Sequence, residues 1–197
     1  HRRRRQHGVF PAPSTYCETL MCANTPSSAP SEIGSVGIVA KASLTEAAPV
    51  VRNVIAWLQE RNLRPVLEEN TANLTNLAAL ETTDSTTLPT IADLILVLGG
   101  DGTLLGVARQ IAAAATDPPI LAVNFGGLGF LTEITLSELF ETLTTVIDGN
   151  AGIDERRMLR ARTLRQGNIL TERLVLNDVV ITKSALSGML DLSVSVG

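Results

Sequence analysis

Five consecutive apolar residues, Leu94, Ile95, Leu96, Val97 and Leu98, run straight into Gly99, Gly100, Asp101, Gly102 and Thr103, and this junction limits the possible folds more sharply than any other stretch of the chain. An apolar run without alternation suits a parallel strand covered on both faces, because a strand with one wet face would alternate. The glycines after it permit a tight reversal, and Leu104 to Ala115 reads as a helix. The same grammar precedes and follows it. Val36, Ile38 and Val39 form a short apolar run that ends at Lys41; Ala47, Val51, Val54, Ile55 and Leu58 then recur at helical spacing, with Thr45 as a candidate N-cap and Pro49 tolerable near the first turn. Arg64 to Leu67 is a candidate second strand, whereas Asn70 to Thr90 is Thr- and Asn-rich and gives no firm signal. Ile120 to Val123 is a further apolar run that meets a second glycine cluster, and Leu136 to Ile147 makes another helix. Strands alternating with helices predict a layered α/β domain with a parallel sheet over residues 33–149.

After Asp148, Gly149 and Asn150 the pattern changes. Met158 to Leu164, Arg173 to Thr182 and Leu190 to Val196 read as successive strands with no helix between them, so residues 150–197 are expected to begin a second, mainly β, sandwich-like domain that is cut off at Gly197. Residues 1–32 are rich in Pro, Ser and Thr and open with Arg2 to Arg5; they are expected to be a disordered, solvated tail. With no sustained apolar run behind those arginines, neither export nor membrane association is expected, and the expected location is cytoplasmic.

Of 197 residues, 45% are apolar, a globular composition. From Ile33 onward twelve Lys and Arg stand against eighteen Asp and Glu, which argues against nucleic acid as a partner, since phosphate contacts need a basic face. The two cysteines (Cys17, Cys22) and the two histidines (His1, His7) all fall in the opening tail. The folded part therefore has no zinc set, catalytic thiol or Ser/His pair to offer, and any chemistry falls to Asp, Glu, Asn, Thr, Lys or Arg.

Three motifs carry candidate chemistry. In an open α/β sheet ligands sit beyond the carboxyl ends of the strands, and Gly99, Gly100, Gly102 and Thr103 there form a candidate phosphate loop at a helix N-terminus. An acidic residue inside such a loop repels phosphate, so Asp101 needs another role, either binding Mg²⁺ that neutralises the phosphates or accepting a proton from an attacking hydroxyl. The same residues also suit a tight turn with Asp as a cap. The spacing matches neither the Walker loop nor the dinucleotide fingerprint. In the second motif, Asn124 to Leu131, three glycines with an apolar rim suit an adenine, with Phe130 as the packing face and Asn124 as a hydrogen-bonding group, or else close packing of a buried loop. In the third, Asn177 and Asp178 follow the apolar Leu174 to Leu176; they suit ribose hydroxyls if buried, and an ordinary turn otherwise. Arg156, Arg157, Arg160, Arg162, Arg165 and Arg173 are read as a solvated face of β strands.

Together LVLGGDGTLL, VNFGGLGFLTEI and LNDVVITK, with DERRMLRART between the last two, resemble the successive signatures of the NAD kinases from about Ile33 to Gly197. The resemblance implies transfer of a phosphoryl group from ATP or polyphosphate, with Mg²⁺, to the 2′-hydroxyl of the adenosine ribose of NAD, in a homo-oligomer. Residue by residue, it implies that Asp101 is the proton acceptor, that Gly102 lies against NAD, that Leu105 and Phe130 line the adenine side, and that Asn177 and Asp178 hold NAD. The family takes Glu or Asp at the position of Asp178. Gly188 departs from the family, which often has a basic side chain there, leaving a phosphate or ribose contact open. The family's later Thr/Gly/Ser/Ala/Tyr segment is not in this sequence, so the chain is expected to hold part of the substrate site. Two competitors are weighed against it: a diacylglycerol-type lipid kinase, which shares the Gly-Gly-Asp-Gly-Thr loop but not the continuation VNFGGLGFLTEI, and a nucleotide-binding fragment without catalysis.

Overall fold

The computed structural model describes residues 15–19 by their backbone, and residues 33–75, 80–126 and 129–181 with their side chains. Gly127, Leu128, Gly188 and the strand expected over Leu190–Val196 lie outside the described residues. Inside the opening segment, expected to be disordered, Thr15–Thr19 is a strand, β1. The Thr-Tyr-Cys-Glu-Thr sequence favours extended backbone, and a partner strand supplies the ladder that such a short segment lacks alone.

Six strands form a parallel sheet: β2 (Ser35–Ala40), β3 (Arg64–Glu68), β4 (Thr82–Thr83), β5 (Leu94–Gly99), β6 (Ile120–Asn124) and β7 (Ile134–Thr135). Their spatial order is β4-β3-β2-β5-β6-β7, so the chain winds outward from β2 on one side and returns beside it at β5. This is the doubly wound order, and its direction of winding reverses between β2 and β5. The register there aligns Ala40 with Leu98, and Gly99 with Asn124 on the other side, so three loops leave the same edge of the sheet side by side. All six residues of β5 are buried, as expected of a strand with helices on both faces.

Helix α1 (Ala47–Glu60) buries Ala47, Val51, Val54, Ile55 and Leu58, the five positions picked out by helical spacing. These pack with Ile38, Leu96, Leu98, Leu139 and Leu143 in the larger of two core clusters. The helix starts one residue later than a Thr45 cap would place it: Glu46 is the N-cap position, with no side-chain hydrogen bond. Between β3 and β5 the Thr/Asn-rich stretch resolves into α2 (Glu69–Thr75), the two-residue β4 and the single-turn α3 (Leu88–Ile91). Asp84 organises the approach to α3 by accepting hydrogen bonds from the N–H and hydroxyl groups of Thr86 and Thr87. Helix α4 (Asp101–Ala114) buries Leu104, Val107, Ala108 and Ile111, mostly in the second core cluster, where Ile95, Val97 and Leu88 meet them. A 3₁₀ turn at Leu136–Glu138, held by the reciprocal hydrogen bonds of Thr135 and Glu138, leads into α5 (Leu139–Ile147).

A three-stranded antiparallel sheet, β1-β8-β9, follows the α/β domain, with β8 at Leu159–Arg165 and β9 at Asn168–Val175. The strand expected over Arg173–Thr182 therefore begins earlier and ends at Val175. The physical reason is the turn: Gln166 and Gly167 both take positive φ, at 52° and 80°, and close a two-residue hairpin that starts β9 at once. Glu172 on β9 pairs across the hairpin with Arg160 and Arg162 of β8, which satisfies part of the arginine group within the sheet.

The starts of β2 and β5 are pinned by Asp93. Its Oδ2 accepts the N–H of Gly34 at 3.1 Å, the N–H of Ser35 at 2.8 Å and the hydroxyl of Ser35 at 2.7 Å. Partial burial works to raise the Asp93 pKa, but these bonds and the charge of Arg64 outweigh it and hold it below the ordinary 3.8. A carboxyl depressed in the folded state adds stability above its unfolded pKa and loses it as pH falls through the folded value. Thermal melts from about pH 6 down to about pH 2.5 should therefore show a shallower acid decline in Asp93→Asn than in the parent; identical slopes would contradict the pin. Truncating Leu96, fully buried in the central strand pair, should cost about 2–5 kcal/mol in urea unfolding with the m-value unchanged.

Candidate active site

The junction that ends β5 sets the site. Gly99 closes the strand, Gly100 is the N-cap of α4 in extended conformation, and Asp101 is the first residue of the helix. A Cβ at Gly99 would lie 2.6 Å from Thr103 Oγ1, so a side chain there would force Thr103 to move. Thr103 is thus folded back over the strand end, and the turn closes tightly enough to bring the helix N-terminus to the sheet edge. There the positive end of the helix dipole favours an anion.

Asp101 does not cap its own helix. Its carboxylate reaches across to the second glycine loop: Oδ2 accepts the N–H of Phe130 at 3.0 Å, while Oδ1 accepts the N–H groups of Leu131 and Thr132 at 3.2 Å each and the Thr132 hydroxyl at 3.0 Å. Burial pushes the Asp101 pKa up, but these four hydrogen bonds outweigh it and leave the carboxyl below the ordinary 3.8. At neutral pH it is an ionised, oriented carboxylate. Gly129 makes the approach possible, because a Cβ there would come within 2.4 Å of both Asp101 Oδ1 and Thr132 Oγ1.

Beside this lies a cleft of about 460 Å³, at the switch point between β2 and β5, where a doubly wound sheet receives its ligands. Gly100, Gly102 and Thr103 line it together with Gly106, Gln110, Lys41 and the buried Glu68. Gly102 and Gly106 are one helical turn apart, and apart from their chain neighbours and the helix's own backbone no described atom lies within 4 Å of where their Cβ atoms would be. Glycine inside a helix costs about 0.5–1 kcal/mol relative to alanine. Among the described residues nothing packs closely against these two positions, so this face of α4 stands open to the cleft.

Of the other expected residues, Phe130 is 93% exposed, an unusual state for a large aromatic side chain, and stands on the loop whose N–H binds Asp101. Asn124 is half-buried at the end of β6, where its Oδ1 accepts the N–H of Gly126 at 2.9 Å and shapes the start of the glycine loop. Leu105 is half-buried on α4. Asn177 and Asp178 are exposed just after β9, but Leu176 before them packs, as Leu131 does, on the cluster that holds Leu104 and Val107. The β hairpin is thereby brought against α4. Sequence reading takes Gly129 only as one of three loop glycines and does not single out Thr132, Lys41, Glu68 or Gly106. Thr132 stands inside the VNFGGLGFLTEI motif, yet no local pattern marks a threonine that is fully buried by a bond to a residue 31 positions earlier.

Residues 36–151 match the family model of the ATP-NAD kinase N-terminal domain. A NAD kinase of Syntrophotalea carbinolica is 45% identical over 161 residues, covering 82% of this chain and 55% of that protein. A NAD kinase of Citrifermentans bemidjiense is 42% identical over 162 residues, covering 82% of this chain and 56% of that protein. The fold is also that of a yeast NADH kinase crystallised with NADH, at a TM-score of 0.61 and 18% identity, over 81% of this chain and 51% of that one. The chain spans about half the length of the curated relatives it matches. By the extent of the family match, and by the two glycine motifs that its fold brings into contact, this chain belongs to the ATP-NAD kinase family.

Proposed function

We propose that this chain carries the acceptor-activating part of an NAD kinase, which transfers the terminal phosphoryl group of ATP to the 2′-hydroxyl of the adenosine ribose of NAD. The observation that carries the reading is the Asp101 carboxylate, ionised and held by four hydrogen bonds at the head of α4, beside a helix face left open by glycines. In this reading the ribose hydroxyl donates a hydrogen bond to Asp101, and its proton passes to the carboxylate as the oxygen attacks the terminal phosphorus and ADP leaves. A carboxylate is too weak a base to ionise an alcohol beforehand; its contribution is orientation and proton acceptance during transfer.

The remaining roles follow from position. Phe130 offers its exposed face to the adenine, and Leu105 borders it from α4. Gly102 admits the dinucleotide to the helix face, while the positive N-terminal end of α4 and the cation of Lys41 suit the phosphates of the donor. Asn177 and Asp178 hold the dinucleotide from the hairpin side. Magnesium enters as part of the substrate, bound to the ATP phosphates, in keeping with its preference for phosphate and water over dedicated protein cages. Among the described residues no three His, Cys, Asp or Glu side chains gather into a metal-holding group. The Syntrophotalea and Citrifermentans relatives are NAD kinases, which favours the dinucleotide over a diacylglycerol as acceptor. Among the described residues no helix is long and apolar enough to cross a membrane. The proposed enzyme works in the cytoplasm, as a homo-oligomer.

A coupled assay of NADP formation from NAD and MgATP tests the reading, run on this chain and on this chain joined to the C-terminal half of the Syntrophotalea relative. Asp101→Asn should lower kcat by about 10²- to 10⁴-fold with the fold intact, and a loss under about threefold would contradict the assigned role. Phe130→Ala should raise KM for NAD by about two- to tenfold, the worth of one aromatic contact, with little change in KM for ATP. Equal effects on both substrates would place the ring elsewhere.

A further inference from the structure

The role of Asp101 leaves open what decides which of its oxygens meets the substrate. The two are not equivalent. Oδ1 is saturated by three donors, two of them from Thr132, whereas Oδ2 accepts the single N–H of Phe130 and keeps acceptor capacity. Thr132 is fully buried, and its hydroxyl is spent on Asp101 Oδ1 at 3.0 Å. A buried hydroxyl is retained where it has a partner, and a valine of nearly the same shape would otherwise serve the core better. Gly129 is constrained by the same pair, since any side chain there would strike both partners.

Resting on the function proposed above, we infer that Thr132 is a positioning residue, which locks Asp101 Oδ1 to the second glycine loop and so presents Oδ2 to the acceptor hydroxyl. Phe130 lies two residues from Thr132 on the same loop, so a nucleotide ring packed on Phe130 and the carboxylate that receives its ribose proton share one rigid segment. The loop thereby sets the distance between adenine contact and proton acceptor, a distance that a free aspartate at a helix start would not hold.

The test compares Thr132→Val and Thr132→Ser in the chain joined to the Syntrophotalea C-terminal half. Val keeps the shape and removes the hydroxyl; Ser keeps the hydroxyl and removes the methyl. Loss of one charge-assisted hydrogen bond at the proton acceptor should lower kcat about tenfold in Thr132→Val, with KM for NAD changed less than about twofold, and Thr132→Ser should recover most of the rate. The Asp101 carboxyl carbon, followed by NMR on this chain alone, should titrate at higher pH in Thr132→Val than in the parent or in Thr132→Ser. A Val variant as fast as the parent, a Ser variant as slow as Val, or an unmoved titration would overturn the positioning role while leaving NAD phosphorylation standing. A joined parent chain that is folded and makes no NADP would overturn the function, and the role with it.

Discussion

The rest of the structure hangs on the complete burial of β5. Because helices cover both its faces, the strand has no solvent side, its side chains need not alternate, and its direction fixes where the chain must emerge. It emerges at Gly99, next to the ends of β2 and β6, at the point where the winding of the sheet reverses. The site is thus a consequence of sheet topology: the turn, the helix start and the second glycine loop meet there because three parallel strands end level. Asp93 has the matching role at the opposite edge, tying the beginnings of β2 and β5 together.

On that frame the interaction between Asp101 and the loop at Gly129–Thr132 converts two loops into one unit. Surface loops ordinarily vary and move, and chemistry placed on them needs a support. Here the support is reciprocal. The carboxylate satisfies three consecutive backbone N–H groups that would otherwise need water, and those groups keep it ionised and aimed. Leu176 and Leu131 both pack against the second core cluster, so the segment that leads from β9 to Asn177 and Asp178 rests on the same core as the loop.

Much of this is legible in the sequence, for identifiable reasons. The five buried positions of α1 are the five that recur at helical spacing, and β5 reads as a strand because burial on two faces writes itself as an unbroken apolar run. The elements that escape reading are those stabilised by single polar contacts or by chain partners far away. Helix α3 is one turn long and is organised by the side chain of Asp84, so hydrophobic periodicity has no room to appear. The start of β9 is hidden because Gln166 and Gly167 close the hairpin in two residues, a Gln-Gly pair where Asn-Gly is the common signal. Strand β1 lies in a segment whose composition reads as unstructured, and it is extended because β8 offers a ladder. For the site, the glycine turns and Asp101 can be named from residue type and place. The bond between them spans 29 to 31 residues, and no local pattern encodes it.

The central claim is that Asp101, held by the loop, faces the ribose of a bound dinucleotide. A structure with NAD bound tests it most directly. The account predicts the adenosine 2′-oxygen within hydrogen-bond reach of Asp101 Oδ2, about 2.6–3.2 Å, with the adenine against Phe130 and the Thr132 bonds intact. An adenosine ribose bound away from Asp101, or a carboxylate that leaves Thr132 when the dinucleotide binds, would contradict it.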